Sequence, residues 1–204
     1  MLQSRHIPLF VRFFNYYSRF MIRRHFRQVR YHDEVPTSQK PLLVIANHFS
    51  WWDGFFVVDY NHRFLHRKFH VMMLEEQLSR RSFLNKAGAF SIKKGGRNTI
   101  ESLQYAATIM DNPKNLLLMF PQGEIQSQHQ CRFHFEKGVS TIINNTKTHP
   151  DILFMAHLTE YYSSSKPSLD VYSRLYSKSF TNIRDLENAY TAFFSESIER
   201  QKPE

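Results

Sequence analysis

Leu42-Leu43-Val44-Ile45-Ala46 is the stretch that most restricts how this chain can fold. Five apolar residues followed at once by Asn47 and a helix-start pattern, Ser50-Trp51-Trp52-Asp53, read as a buried strand that turns directly into a helix over Trp51 to Tyr60. The same alternation continues downstream. Strands are expected at Phe69 to Leu74, Ala89 to Lys93, Asn115 to Phe120, Ile152 to His157 and Leu169 to Tyr176. Helices are expected at Glu76 to Lys86, Thr99 to Met110, Gly138 to Lys147 and 183 to 200. Strands alternating with helices specify an α/β fold: a layered domain with a mostly parallel central sheet flanked by helices. In such sheets, sites gather where strands end and helices begin.

Charge placement separates the ends of the chain. The net charge is +9, and residues 1 to 30 hold seven arginines with no Asp, Glu or Lys. Subtracting those seven from +9 leaves only +2 on the other 174 residues. On a helical projection Arg5, Arg12, Arg19, Arg23, Arg27 and Arg30 share one side, and Ile7, Phe10, Phe14, Tyr17 and Met21 the other. Pro8 suits the first turn of such a helix and leaves Arg5 outside it. The expected organisation is an amphipathic arm over 1–35, joined through a polar linker from His32 to Lys40, and an α/β domain over 36–204. Two readings of the arm stand side by side. It is an interfacial helix that sets Phe14 and Tyr17 into lipid and Arg12, Arg19, Arg23 and Arg27 onto anionic headgroups, or a helix packed on the body with a solvated basic face. A near-neutral remainder argues against a broad phosphate-binding surface, so no nucleic-acid partner is expected.

No uncharged run approaches the roughly 18 to 20 residues that span a bilayer. Arg12 and Arg19 interrupt the apolar start, which argues against a signal peptide. Cys131 is the only cysteine, so an internal disulfide is impossible and a reducing compartment fits. His62, His66 and His70 recur every four residues, but Arg63, Arg67 and Lys68 interleave them. No metal site is assigned there.

His48 and Asp53 stand five apart, a step of about 500° that points side chains apart on a straight helix. With Ser50 as N-cap, His48 instead lies in the turn and Asp53 in the first helical turn, so the imidazole can fold back onto the carboxylate. A neutral imidazole, with a reference pKa of ~6.5, accepts a proton, and a carboxylate orients it and stabilises the imidazolium. Helix-start N–H groups would be available to an oxyanion. The bland alternative is that Asp53 caps the helix while His48 bonds locally.

The sequence Asn47-His48-Phe49-Ser50-Trp51-Trp52-Asp53 resembles the Asn-His-x4-Asp motif of the glycerolipid acyltransferases, the family of 1-acylglycerol-3-phosphate acyltransferase. Residues 69 to 94 are similar to that family's second block, which ends Gly-x-x-Phe-Ile-Asp-Arg. Residues 120 to 127, FPQGEIQS, resemble its third block, Phe-Pro-Glu-Gly-Thr-Arg-Ser, and 135 to 139, FEKGV, the Phe-Lys-x-Gly stretch after it. The resemblance spans about residues 40 to 160. It implies an enzyme with His48 as general base on an acceptor hydroxyl and Asp53 as its orienter; together with the Arg-rich arm, the expectation is a peripheral protein on the cytoplasmic side of a membrane. The hydroxyl attacks an acyl thioester directly, so no cofactor is implied beyond acyl-CoA or acyl carrier protein as co-substrate. No Gly-x-Ser-x-Gly elbow is present to suggest a covalent route.

By the same resemblance the second and third blocks hold the acceptor, which assigns Lys93, Lys94, Arg97, Gln122, Gly123, Glu124 and Lys137 to substrate binding. Here the chain departs from the pattern. Gln122 replaces Glu, Glu124 replaces Thr, Ile125 replaces Arg, and Lys93-Lys94 replace Asp-Arg. Ile125 cannot bind phosphate. Lys93, Lys94 and Arg97, in a basic Gly-rich turn, either restore an anionic contact or form a solvated connector. Glu124 faces an amine on the acceptor or pairs with Lys137. The acceptor is thus a lyso-lipid or another hydroxylated amphiphile. A non-catalytic lipid-binding member of the same fold is the alternative.

Overall fold

A computed structural model of the chain describes residues 1–33, 35, 37–93 and 95–201. Among the described residues it contains helix α1 (Pro8–His25), strand β1 (Gln28–His32), β2 (Leu42–Ala46), α2 (Asp53–Tyr60), β3 (Lys68–Leu74), α3 (Glu75–Arg80), β4 (Ala89–Ile92) and α4 (Arg97–Ile109). Strand β5 (Asn115–Met119), α5 (Gly138–Asn145), β6 (Asp151–Glu160), β7 (Ser168–Leu175) and α6 (Ile183–Arg200) complete it.

The seven strands form one sheet in the order β1-β7-β6-β2-β5-β3-β4. Every pairing is parallel except β6 with β7, so β1 and β7 run against the other five. Strand alternation assigns the two faces. Leu42, Val44, Leu116, Leu118, Leu153 and Met155 pack under α1 and α2. Leu43, Ile45, Leu117, Phe154 and Ala156 pack under α4, α5 and α6. This is the expected layered α/β architecture, with β2 buried on both faces at its centre.

Two stretches differ from expectation. The helix expected over Glu76 to Lys86 breaks at Arg81; a 3-10 turn over Ser82–Lys86 follows and tucks Leu84 into one small cluster with Leu78 and Ala89. The arm ends its helix at His25, and the next residues pair with β7 as β1. Arg27 and Arg30 therefore leave the helical projection. The Arg27 backbone N–H reaches Pro167 O at 2.9 Å, and Arg30 grips buried Asp170 with two bonds of 2.6 and 2.8 Å. Residues 28 to 32 thus belong to the sheet.

The faces of α1 are also not those of the simple projection. Phe14 turns inward against Phe55 (5.4 Å between rings), and Arg19 is half-buried with its Nε enclosed. The outward stripe is Leu9, Phe13, Tyr16 and Phe20, each at least 60% exposed. Arg12, Arg23 and Arg24 are also exposed. No helix among the described residues is long and apolar enough to cross a membrane.

Candidate active site

The parallel register of β2 on β5 aligns Ile45 with Met119, so both strands end side by side. The chain leaves β2 toward β3 and β4, and leaves β5 across β2 to β6. Such a reversal opens a crevice at the carboxyl ends of the strands. His48 follows β2 and Phe120 follows β5; their rings stack at 4.0 Å with 12° between planes.

Asp53, the first residue of α2, is fully buried. His48 Nδ1 donates to its Oδ2 at 2.8 Å, and the Phe49 and Ser50 N–H groups donate to the same oxygen at 2.8 and 2.9 Å. The carboxylate reaches back over the turn as a Ser-x-x-acid start allows. The Ser50 hydroxyl accepts the Trp52 N–H at 3.2 Å, and regular helix begins at Asp53. The helix-start N–H groups of Phe49, Ser50 and Trp52 are consumed inside the turn, so they are not turned toward a bound oxyanion. Burial pushes the Asp53 carboxyl above its ordinary range, while the His48 and backbone donors pull it back.

Two further segments grip the turn. Gln122, 7% exposed, accepts the His48 N–H through Oε1 at 2.8 Å, and the Gln126 N–H donates to the His48 carbonyl at 2.8 Å. Gln122 Nε2 in turn donates to Gln126 Oε1 at 2.9 Å. Asn47 does the corresponding work on the other side. Its amide nitrogen donates to the His157 carbonyl at 2.9 Å, and its Oδ1 accepts the His157 N–H at 2.8 Å. This side chain carries the β2–β6 ladder one step past the end of β2. The grip that Asn47 exerts joins positions 110 residues apart, beyond the reach of local spacing.

His48 lines a cavity of about 1080 Å³. Phe55, Val71, Met73, Leu84 and Ala89 form part of its apolar wall. A neighbouring hollow of about 570 Å³ beneath α1 shares Phe14, Val58, Phe69 and Ala87 with it. Gly123, Glu124 and Lys137 also line the larger cavity, with Glu136 beside them. Gly123 holds φ at +73°, and the Glu136 side chain covers it so closely that a Cβ would meet Cγ at 3.1 Å. The acceptor residues expected from sequence therefore divide. Gln122 is engaged in holding His48. Lys93 and Arg97 lie outside the lining, with Arg97 on Glu101 at 3.4 Å, and Lys94 lies outside the described residues. Glu124 meets Gln126 Nε2 at 3.3 Å. Trp51 stands at the cavity with the Arg81 guanidinium 4.3 Å from its ring centroid.

The sequence model of the family described as Acyltransferase matches residues 27–156, well over half of the chain. The chain belongs to the acyltransferase family. No curated protein matches it. Among solved structures its fold is similar to that of the 1-acyl-sn-glycerophosphate (LPA) acyltransferase PlsC of Thermotoga maritima. That likeness has a TM-score of 0.65 at 13% identity over 95% of this chain and 81% of that one. At that identity it speaks for the fold, including the mostly parallel seven-stranded sheet and its N-terminal helix.

Proposed function

We propose that this acyltransferase moves a fatty acyl group from an acyl thioester to the hydroxyl of a lyso-lipid or related amphiphile, with His48 as general base and Asp53 as its orienter. The observation that carries this reading is the bond from His48 Nδ1 to a fully buried carboxylate, at the wall of a large and mainly apolar cavity. With Nδ1 committed to Asp53, Nε2 is the nitrogen left for the acceptor. The acceptor O–H proton passes to Nε2 as its oxygen bonds to the thioester carbonyl carbon. The C–S bond then breaks, and the leaving thiolate takes the proton from the imidazolium. Such a positioned base supplies typically ~10²–10⁴ in rate. The phosphate-bearing acceptor named for the Thermotoga protein is one candidate here. Glu124 and Glu136 beside Lys137 also suit an acceptor whose headgroup carries an amine. Acyl-CoA and acyl carrier protein both remain as donors.

The protein works at an anionic membrane surface, peripherally and on the cytoplasmic side. The outward stripe of α1 supports this, because it connects to the cavity wall. Phe13 stacks on Tyr17 at 5.9 Å, and Tyr17 meets Phe55 of that wall at 6.2 Å. Exposed Arg12 and Arg23 flank the stripe with the charge that anionic headgroups attract. The test is incubation of purified protein with acyl-CoA or acyl carrier protein thioesters and a panel of lyso-lipids, including phosphate- and amine-bearing ones. A doubly acylated product with one acceptor class is expected. Lipid binding without product from any pair would instead identify a non-catalytic lipid-binding protein.

A further inference from the structure

We propose that His157 is a positioning residue of the base, a neutral imidazole whose Nδ1–H faces the second oxygen of Asp53. This rests on the acyl-transfer reading of His48 and Asp53.

Among the described residues, the three donors that reach Asp53 all converge on Oδ2. Oδ1 is buried and, among the described residues, has no hydrogen-bond partner. A carboxylate oxygen sealed from water without a donor is costly. His157 Nδ1 lies 4.0 Å from that oxygen. His157 is itself wholly buried, and among the described residues neither of its ring nitrogens has a hydrogen-bond partner. Two unsatisfied groups of complementary chemistry thus face each other in a dry interior, a small movement short of bonding. Bonds around catalytic groups are commonly long before substrate binds and tighten afterwards.

Two contacts hold the position of the ring. Asn47 clamps both backbone groups of His157, so the motif residue beside the base also fixes the strand that carries this ring. Phe56 packs against it edge-on at 5.3 Å. Among the described residues, the His48 charge acts on His157 and the Asp53 charge on Tyr190; the Tyr190 hydroxyl is committed to the Met155 carbonyl at 2.8 Å. The tautomer follows from electrostatics. An N–H dipole aimed at a carboxylate attracts it, and a lone pair aimed there repels it, so the proton belongs on Nδ1. Burial, with the His48 charge as a second cause, holds His157 down to about 3. His157 therefore supplies a dipole and not a second cation that would compete with the imidazolium of His48 for the same carboxylate.

The test compares three substitutions in the full chain. His157→Leu keeps bulk and removes the donor; His157→Asn keeps a donor near the Nδ1 position; His157→Gln moves it toward the Nε2 position. For acyl transfer, His157→Leu and His157→Gln should lower kcat by about 10-fold or more with KM within about twofold, and His157→Asn should recover most of that loss. If His157→Leu does not fold, the comparison of Asn with Gln decides alone. Wild-type kcat in the Leu variant, or Asn no better than Gln, would overturn the proposal. A second readout is independent of turnover: nitrogen NMR of histidine-labelled protein should find His157 neutral with its proton on Nδ1. A proton on Nε2 would overturn the proposal even in an active enzyme. A proton on Nδ1 in a protein that acylates nothing would uphold the contact while the acyl-transfer reading falls.

Discussion

The side chain of Gln122 accepts the backbone N–H of His48 at 2.8 Å. The residue that replaces the acidic position of the resembling third block therefore fixes the turn that presents the base. A glutamine suits this place because it accepts on one side and donates to Gln126 on the other, whereas an ionised carboxylate only accepts.

Replacing Gln122 with Ala should therefore act on the base more than on binding. It leaves the His48 N–H without its acceptor in a partly buried turn, at a cost of about 1–3 kcal/mol. The expected outcome is a lower melting temperature and a kcat reduced more than KM changes, read by thermal unfolding and steady-state kinetics. An effect on KM alone would return Gln122 to a substrate-binding role.

The exposed stripe on α1 gives a prediction that does not involve the site. Changing Phe13, Tyr16 and Phe20 together to Ser should lower partition onto anionic vesicles by at least about 10-fold, since burial of even one large apolar side chain is worth about 1.5–3 kcal/mol. Co-sedimentation measures it, and the circular dichroism of the variant should match wild type. Unchanged partition would remove α1 from the interface.

Acid should destabilise the protein in a defined window. His70 and His157 are buried and neutral, each held down to about 3; burial is the main cause in both, followed by the His6 charge for His70 and the His48 charge for His157. In the unfolded chain each protonates near 6.5. The unfolded state therefore binds more protons between these values, and stability falls as pH drops from 6.5 toward 3. The slope is about 1 kcal/mol per pH unit for each histidine. Denaturant unfolding between pH 7 and 4 measures it, and His70→Asn should reduce the slope by about half. A stability that stays flat across that range would contradict the assignment.

The cavity wall predicts chain-length selection. Val58 is buried on α2 and lies where the larger cavity meets the hollow beneath α1. Val58→Phe should take space from both hollows and shift preference toward shorter acyl donors, at an overpacking cost of about 1–3 kcal/mol. Competition between short- and long-chain thioesters reads the shift; an unchanged preference would place the acyl chain elsewhere.

What the sequence discloses here depends on how local each determinant is. The apolar run at 42–46 and the Ser-x-x-acid start behind it are local; they are enough to expect the buried β2 and to allow, beside simple capping, the fold-back of His48 onto Asp53. Strand β1 is hidden because, among the described residues, it pairs only with β7, and Arg27 and Arg30 extend a helical pattern whose helix actually stops at His25. Arg30 reads from sequence as part of the arm's basic face because its partner, Asp170, is 140 residues away. The roles of Asn47 and Gln122 were hidden for the same reason, since their bonds reach across strands that only the assembled sheet makes neighbours. The outward face of α1 could not be told from its inward face until α2 covered one of them.

The most direct measurement is free thiol released from a long-chain acyl thioester in the presence of the acceptor that wild type uses, compared with His48→Ala and Asp53→Asn. Loss of the base should lower the rate by about 10²-fold or more in His48→Ala, with Asp53→Asn also strongly impaired, while both proteins keep their fold. Equal thiol release by wild type and folded His48→Ala would contradict the account.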